Sequence, residues 1–161
     1  MFKSLSKSLS KKSSGSHHDW PRRYGLENLG NTCYAAATLQ LLFGIKSFHS
    51  LFSDVNALQR YLNPNSSYTG LASELVVLFK EMNNCNAAVN PFKFYELCNR
   101  FWPSFLNKEH QDPVHFLTSL LEGLKDELSL SNSNPIDDIF GGELYTEIVC
   151  LRCEIQRFES I

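Results

Sequence analysis

An α+β fold with its helices first and its strands last is what this sequence predicts, on three observations. Apolar residues recur at helical spacing in four segments between residues 32 and 128, a Ser/Asn/Pro-rich break follows Ser129, and beyond it the pattern changes to short runs of period two such as Glu143 to Cys150. The helical lobe is assigned to residues 25–130 and the start of the strand region to 131–161, behind a tail formed by residues 1–24.

The first helix is expected from about Thr32 to Phe43, with Asn31 or Thr32 as its cap and Gly44 ending it. It is apolar nearly all round (Tyr34, Ala35, Ala36, Ala37, Leu39, Leu41, Leu42, Phe43), which predicts a central, buried helix. After an Asn/Pro/Ser-rich loop from Leu62 to Ser67, Leu71, Leu75, Leu78, Phe79 and Met82 mark one face of a second helix. Asn90-Pro91 opens a short third helix through Phe94, Tyr95, Leu97 and Cys98, because an N-cap side chain followed by proline in the first turn is a start signal. Asp112-Pro113 repeats that signal ahead of a fourth helix, whose Leu117, Leu120, Leu121, Leu124 and Leu128 form one inward stripe.

The chain has 161 residues, 43% of them hydrophobic and 12% aromatic, enough to bury a core in one domain. Its longest aliphatic/aromatic run, Leu75 to Phe79, is too short for a membrane span or a signal-peptide core, so a cytoplasmic or nuclear protein with neither a membrane nor a nucleic-acid partner is expected. Five cysteines (33, 85, 98, 150 and 153) suit reduced thiols and one metal half-site better than a disulfide framework. Charge is uneven: residues 1–24 hold six Lys/Arg against Asp19 alone, a net +5, while the rest holds nine basic against sixteen acidic residues, a net −7. The basic arm, Ser-rich and nearly without apolar residues, reads as a flexible tail, with an organelle transit peptide as the alternative.

Cys33 is the candidate nucleophile. It follows a Gly/Asn/Thr-rich loop and opens the first helix, where unpaired backbone N–H groups and the positive end of the helix dipole favour a thiolate. Gly25 and Gly30 let that loop turn tightly and donate N–H groups, and Asn28 adds a side-chain amide, the donors an oxyanion hole requires. The alternative is a small buried hydrophobe, the usual state of a free cysteine.

The stretch GLENLGNTCYAAATLQLLF from Gly25 resembles the cysteine box of the ubiquitin-specific proteases, papain-like cysteine deubiquitinases, with the Gly-Leu-x-Asn-Leu-Gly-Asn-Thr-Cys-aromatic core intact. Two further stretches agree in order. HQDPVHFLTSLLEGL from His110 is similar to the family's Gln-Gln-Asp box, and IDDIFGGELYTEIVCLRC from Ile136 to its Phe-x-Gly strand and Cys-x-x-Cys knuckle. The resemblance implies a papain-like fold, with residues 25–130 as the helical thumb and 131–161 opening the β fingers. It implies ubiquitin and ubiquitinated proteins as partners, which an acidic body would suit because ubiquitin ends in an Arg-rich tail; an acidic surface kept for solubility fits the charge equally.

By the same resemblance, Cys33 attacks the carbonyl of ubiquitin's C-terminal glycine to form an acyl-enzyme, and Asn28 with the Cys33 backbone N–H stabilises the oxyanion. Gln111 and Asp112 align with residues expected to hold the substrate tail, while Asp112 taken alone reads equally as a plain N-cap. Three departures stand out. Ala35, Ala36 and Ala37 stand where the family normally has Met-Asn-Ser or similar after the aromatic, putting the local positioning of the helix in doubt, and His110 and His115 replace a Gln and a Glu of the second box. Cys150 and Cys153 have the spacing of half a zinc ribbon, with thioredoxin-type redox as the alternative; no cofactor is expected for catalysis, and the structural zinc would be incomplete without a second Cys-x-x-Cys.

The family's catalytic histidine lies far downstream in a Gly-His-Tyr context, and none of the five histidines here (17, 18, 49, 110, 115) has it. The expectation is therefore the N-terminal portion of a deubiquitinase catalytic domain, an incomplete domain in this chain. The alternative is a non-catalytic ubiquitin-binding remnant or interaction module.

Overall fold

A computed structural model of the chain describes residues 25–106, 110–143, 145–149, 153 and 156–160. The expected tail, residues 1–24, lies outside the described residues, as does Cys150. Seven α-helices, one 3₁₀ turn and two strands follow in the described chain: α1 Cys33–Gly44, α2 Lys46–Leu51, α3 Val55–Gln59, α4 Leu71–Asn84, α5 Phe92–Phe101, the 3₁₀ turn Pro103–Leu106, α6 Pro113–Glu127, α7 Pro135–Phe140, β1 Tyr145–Val149 and β2 Gln156–Ser160. The four long helices match the four periodic segments of the sequence. The short helices α2, α3 and α7 were not expected, since five or six residues are too few to show a helical period.

Start signals act through side-chain oxygens. Asp112 Oδ1 accepts from the Val114 N–H at 2.8 Å at the head of α6, and Asn90 Oδ1 accepts from the Phe92 N–H at 2.9 Å at the head of α5. At the other end of α1 the expected glycine stop works differently: Gly44 is the last helical residue, and the extended Ile45 turns the chain directly into α2 with its N–H on the Leu42 carbonyl. No left-handed residue terminates α1, because the positive φ values fall at Gly30, Asn31 and Gly70.

α1 packs on α6, and α4 on α5 and α6, around Leu39, Leu42, Leu75, Phe79, Phe116, Leu120 and Leu124, all essentially inaccessible to solvent. Edge-on ring pairs join the layers: Phe43 to Phe79 at 5.2 Å, and Phe116 to both Tyr34 at 5.5 Å and Phe105 at 5.4 Å. Glycine in a helix interior ordinarily costs stability. Gly123 of α6 sits at a close approach, since a Cβ there would meet Trp102 Cη2 at 3.0 Å and Leu71 Cδ2 at 3.1 Å, so these side chains would have to give way by a few tenths of an ångström. The two strands pair antiparallel in a hairpin, Tyr145 opposite Ser160 and Val149 opposite Gln156.

Glu127, at the last turn of α6, is a charged side chain with only 2% of its surface exposed. Its carboxylate reaches the head of α4, Oε1 accepting from the Gly70 N–H and Oε2 from the Ala72 N–H, both at 2.6 Å. The helix start thus receives two acceptors and a complementary negative charge from another element. Gly70 makes the approach possible in a left-handed conformation, φ 97°. The same region is stitched by the Asn63 N–H on the Glu127 carbonyl at 2.7 Å and the Ser66 hydroxyl on Asp126 Oδ2 at 2.6 Å.

Burial raises the proton affinity of Glu127 above the ordinary carboxylate range, although the Ala72 and Gly70 N–H groups oppose the shift. A folded-state value above the unfolded one means that the native state binds more protons in the window between them. Stability should therefore fall as pH rises from the ordinary carboxylate value through the raised one. Urea unfolding across that window should show this slope in the native chain and lose it in Glu127→Gln. Glu127→Ala, which orphans two buried N–H groups, should cost about 2–4 kcal/mol by the same measurement.

Candidate active site

The loop Gly25–Thr32 is held from two directions. On one side it is pinned to the α4–α5 connection: Leu26 bridges Val89 in parallel, the Glu27 N–H donating to the Val89 carbonyl at 2.8 Å and the Val89 N–H to the Gly25 carbonyl at 3.0 Å. On the other it closes on itself around Asn28. Asn28 Oδ1 accepts from the Gly30 N–H and Thr32 N–H, both at 3.2 Å, and from the Thr32 hydroxyl at 3.1 Å. Gly30 (φ 95°) and Asn31 (φ 52°) supply the left-handed backbone this turn requires.

Thr32 occupies the cap position of α1, but its hydroxyl does not cap the helix, which corrects the sequence expectation. The oxygen turns back into the loop, accepting from the Leu29 N–H at 3.0 Å while donating to Asn28. Asn31, the other candidate, is in the left-handed region, unlike the extended residues that cap other helices here. The first turn of α1 is thus left without a side-chain cap at the point where Cys33 begins it. With its carbonyl oxygen shared by three donors, Asn28 has its amide plane fixed and its Nδ2 as the remaining donor group.

Cys33 is exposed, the opposite of the buried-hydrophobe alternative. It heads the one solvent-facing stripe of α1, continued by Ala37 and Leu41 at helical spacing, with Leu41 58% exposed. The helix is therefore buried on most sides but not all round, a second correction to the sequence reading. Leu41 and Ala37 border an apolar groove of about 250 Å³ whose far wall is Pro113, Val114 and Leu117 of α6.

The alanines after Tyr34 do not leave α1 loose. The buried Tyr34 hydroxyl donates to the Phe105 carbonyl, and the Thr38 hydroxyl bonds the Tyr34 carbonyl at 2.9 Å and the Pro113 carbonyl at 3.3 Å. These ties were missed at the sequence level, where Tyr34 read as an apolar position of the helix and Thr38 was not singled out. Burial, with smaller contributions from Cys98 and Cys33, pushes the Tyr34 hydroxyl up to about 12, so it remains a donor at neutral pH.

Thr38 brings the head of α6 to α1, and with it Asp112 and the half-buried Gln111. Asp112 is exposed and acts as the N-cap of α6. His115, exposed on the first turn of α6, packs its ring edge-on against Phe105 at 4.9 Å. His49 is engaged elsewhere, 2.9 Å from Asn83 Nδ2 and stacked on Phe79. His110 is exposed ahead of α6, and His17 and His18 lie outside the described residues. Cys153 is exposed in the β1–β2 turn, and among the described residues no group of three or more His, Cys, Asp or Glu side chains is placed to hold a metal ion. Among the same residues, no helix is long and apolar enough to cross a membrane.

The structure thus places a solvent-facing thiol on the first residue of a largely buried helix, behind a hydrogen-bonded loop. The profile of the ubiquitin carboxyl-terminal hydrolase family matches residues 24–159. Among curated relatives, ubiquitin carboxyl-terminal hydrolase 7 of Saccharomyces cerevisiae is 32% identical over 83% of this chain and 16% of its own length. Ubiquitin carboxyl-terminal hydrolase 1 of Arabidopsis thaliana is 30% identical over 80% of this chain and 13% of its own, and hydrolase 36 of Drosophila pseudoobscura is 27% identical over 86% and 14%. The chain belongs to the ubiquitin carboxyl-terminal hydrolase family, in its ubiquitin-specific protease branch, a membership that implies a papain-like fold and is consistent with the mostly helical described part. It spans about a sixth or less of the length of these relatives.

The geometry ranks the described thiols. Cys98 is buried and its thiol is pushed well above the ordinary range by burial, Cys85 is half-buried with its sulfur 3.3 Å from the Met82 carbonyl, and Cys33 and Cys153 are exposed. Iodoacetamide labelling followed by peptide mapping should modify Cys33 fastest, on the order of tenfold ahead of Cys85, with Cys98 unlabelled until the chain unfolds. Labelling of Cys85 or Cys98 at the rate of Cys33 in the folded protein would contradict this order.

Proposed function

We propose that this chain carries the nucleophile-bearing part of a cysteine deubiquitinase that cleaves the bond after the C-terminal glycine of ubiquitin. The observation that carries the reading is the joint geometry of loop and helix: an exposed Cys33 at an uncapped helix start, beside an Asn28 whose amide is oriented by three hydrogen bonds. Cys33 Sγ adds to the glycine carbonyl, the π electrons move onto oxygen, and the Asn28 amide with the Cys33 N–H receives the charge. Collapse expels the amine, which leaves with the proton taken from the thiol, and water then hydrolyses the thioester.

Gln111 and Asp112, brought beside the middle of α1 by the Thr38–Pro113 contact, hold the extended ubiquitin tail, the Asp112 carboxylate answering an arginine there. The exposed stripe of Cys33, Ala37 and Leu41 is the face of α1 offered to the substrate. A second reading, a ubiquitin-binding module without turnover, is favoured by the engagement of His49 and His115 with Phe79 and Phe105.

Turnover of a ubiquitin-coumarin conjugate separates the two readings. General-base catalysis supplies about 10²- to 10⁴-fold, so the 161-residue chain alone should turn over slowly by roughly that factor, lose what activity it has in Cys33→Ser, and keep ubiquitin binding in that variant. Turnover indifferent to Cys33→Ser would overturn the nucleophile assignment, and robust turnover lost in His115→Ala would put His115 in the base role.

We infer also that Cys150 and Cys153 supply two ligands of a structural zinc, since two thiolates at Cys-x-x-Cys spacing can occupy two positions of one tetrahedral ion. Competition with a chromophoric chelator should reveal weak binding by this chain, strengthened when two more thiolates are provided. Tight stoichiometric zinc binding abolished by Cys150→Ser would mean that other residues of this chain complete the site.

A further inference from the structure

Tyr95 of α5 is 3% exposed, and its hydroxyl is the buried side-chain group among the described residues that makes no hydrogen bond. Leaving a hydroxyl buried and unpaired is costly, and a phenylalanine would fill the same space without that cost. The hydroxyl is not adrift in the core. Thr32 is the side chain placed to bond it, the contact falling just outside strict hydrogen-bond geometry, and Tyr34, Cys98 and Cys33 are its other polar neighbours.

Thr32 has a matching opening. A threonine hydroxyl offers one donor and two acceptor sites. Its donor goes to Asn28 Oδ1 at 3.1 Å, one acceptor site takes the Leu29 N–H at 3.0 Å, and the second lone pair has no partner among these bonds. One orphan donor thus faces one open acceptor.

Resting on the functional reading above, we propose that Tyr95 is a positioning residue for the oxyanion loop: its hydroxyl donates to Thr32 Oγ1, in the free chain as well as around the substrate carbonyl, completing the Tyr95–Thr32–Asn28 chain of hydrogen bonds. With both acceptor sites of Thr32 filled, its proton is committed to Asn28 Oδ1, and the Asn28 amide N–H is held toward the developing negative charge. Each bond in such a chain polarises the next, so a donor two residues removed from the reacting atoms acts on the oxyanion through Asn28. Tyr95 touches neither substrate nor thiol in this role. Removing its hydroxyl therefore spares the nucleophile and loosens the hole.

Tyr95→Phe in the full chain tests this, because it deletes that one donor and keeps the ring in the core. Hydrogen exchange should show the Gly30 and Thr32 amides, which donate to Asn28 Oδ1, opening about fivefold faster in Tyr95→Phe, the size of one net hydrogen bond, while amides of α4 hold their rates. Thr32→Val should remove this sensitivity to Tyr95. Unchanged Gly30 and Thr32 exchange in Tyr95→Phe would overturn the proposal, whatever ubiquitin does.

The second arm uses ubiquitin aldehyde, to whose carbonyl the Cys33 thiol adds with an S–C bond forming, the C=O π bond opening and the thiol proton ending on oxygen. Tyr95→Phe should weaken this adduct about fivefold to tenfold while iodoacetamide, which forms no oxyanion, alkylates Cys33 at the native rate. Equal loss with both reagents would make Tyr95 a merely structural residue. A native chain that forms no adduct would refute the deubiquitinase reading, leaving the exchange measurement to decide the role of Tyr95.

Discussion

Burying α1 on most of its surface while keeping its first residue in solvent is the constraint to which the other elements answer. A helix made of Tyr34, Ala35, Ala36, Leu39, Leu42 and Phe43 enters the core readily, but Tyr34, Thr38 and Thr32 bring hydroxyls with them. Two of these find carbonyls on neighbouring elements, Phe105 for Tyr34 and Pro113 for Thr38, so the bonds that satisfy them also fix α1 against α6 and the turn before it. The third folds back onto Asn28 and shapes the loop. Position of the thiol is thus a by-product of polar satisfaction in the core.

Glu127 plays a comparable part at the other end of the bundle. A buried carboxylate is tolerated there because it meets the uncapped N–H groups at the head of α4, where the helix dipole favours negative charge. The contrast between the two helix starts is structural, and on the proposed reading it serves the reaction. The head of α4 is closed by an acceptor from another helix, whereas the head of α1 has no side-chain cap and faces solvent beside Asn28. A helix start with its donors satisfied stabilises the fold, and one left open can receive charge.

The departures of this chain from its family's motifs are less disruptive than they look in isolation. Alanines at 35 and 36 are buried small residues that let α1 approach its neighbours, and the ties they forgo are made by Tyr34 and Thr38 on either side. His115 takes up a ring contact with Phe105, whose carbonyl anchors Tyr34, so the substituted position still supports the region of the site.

The sequence by itself determined the four long helices, because apolar spacing and the Asn90 and Asp112 start signals act within a few residues. It also determined the family and the place of Cys33 at a helix start. Only the tertiary structure decided that Thr32 turns away from the helix it precedes, that Glu127 serves α4 rather than its own helix, and that Cys33, Ala37 and Leu41 form the stripe of α1 left in solvent. It likewise decided the short helices α2, α3 and α7 and the unmet hydroxyl of Tyr95. The physical reason is common to these cases: each depends on which polar group from a distant part of the chain competes for a donor or acceptor, and local pattern carries no record of that partner.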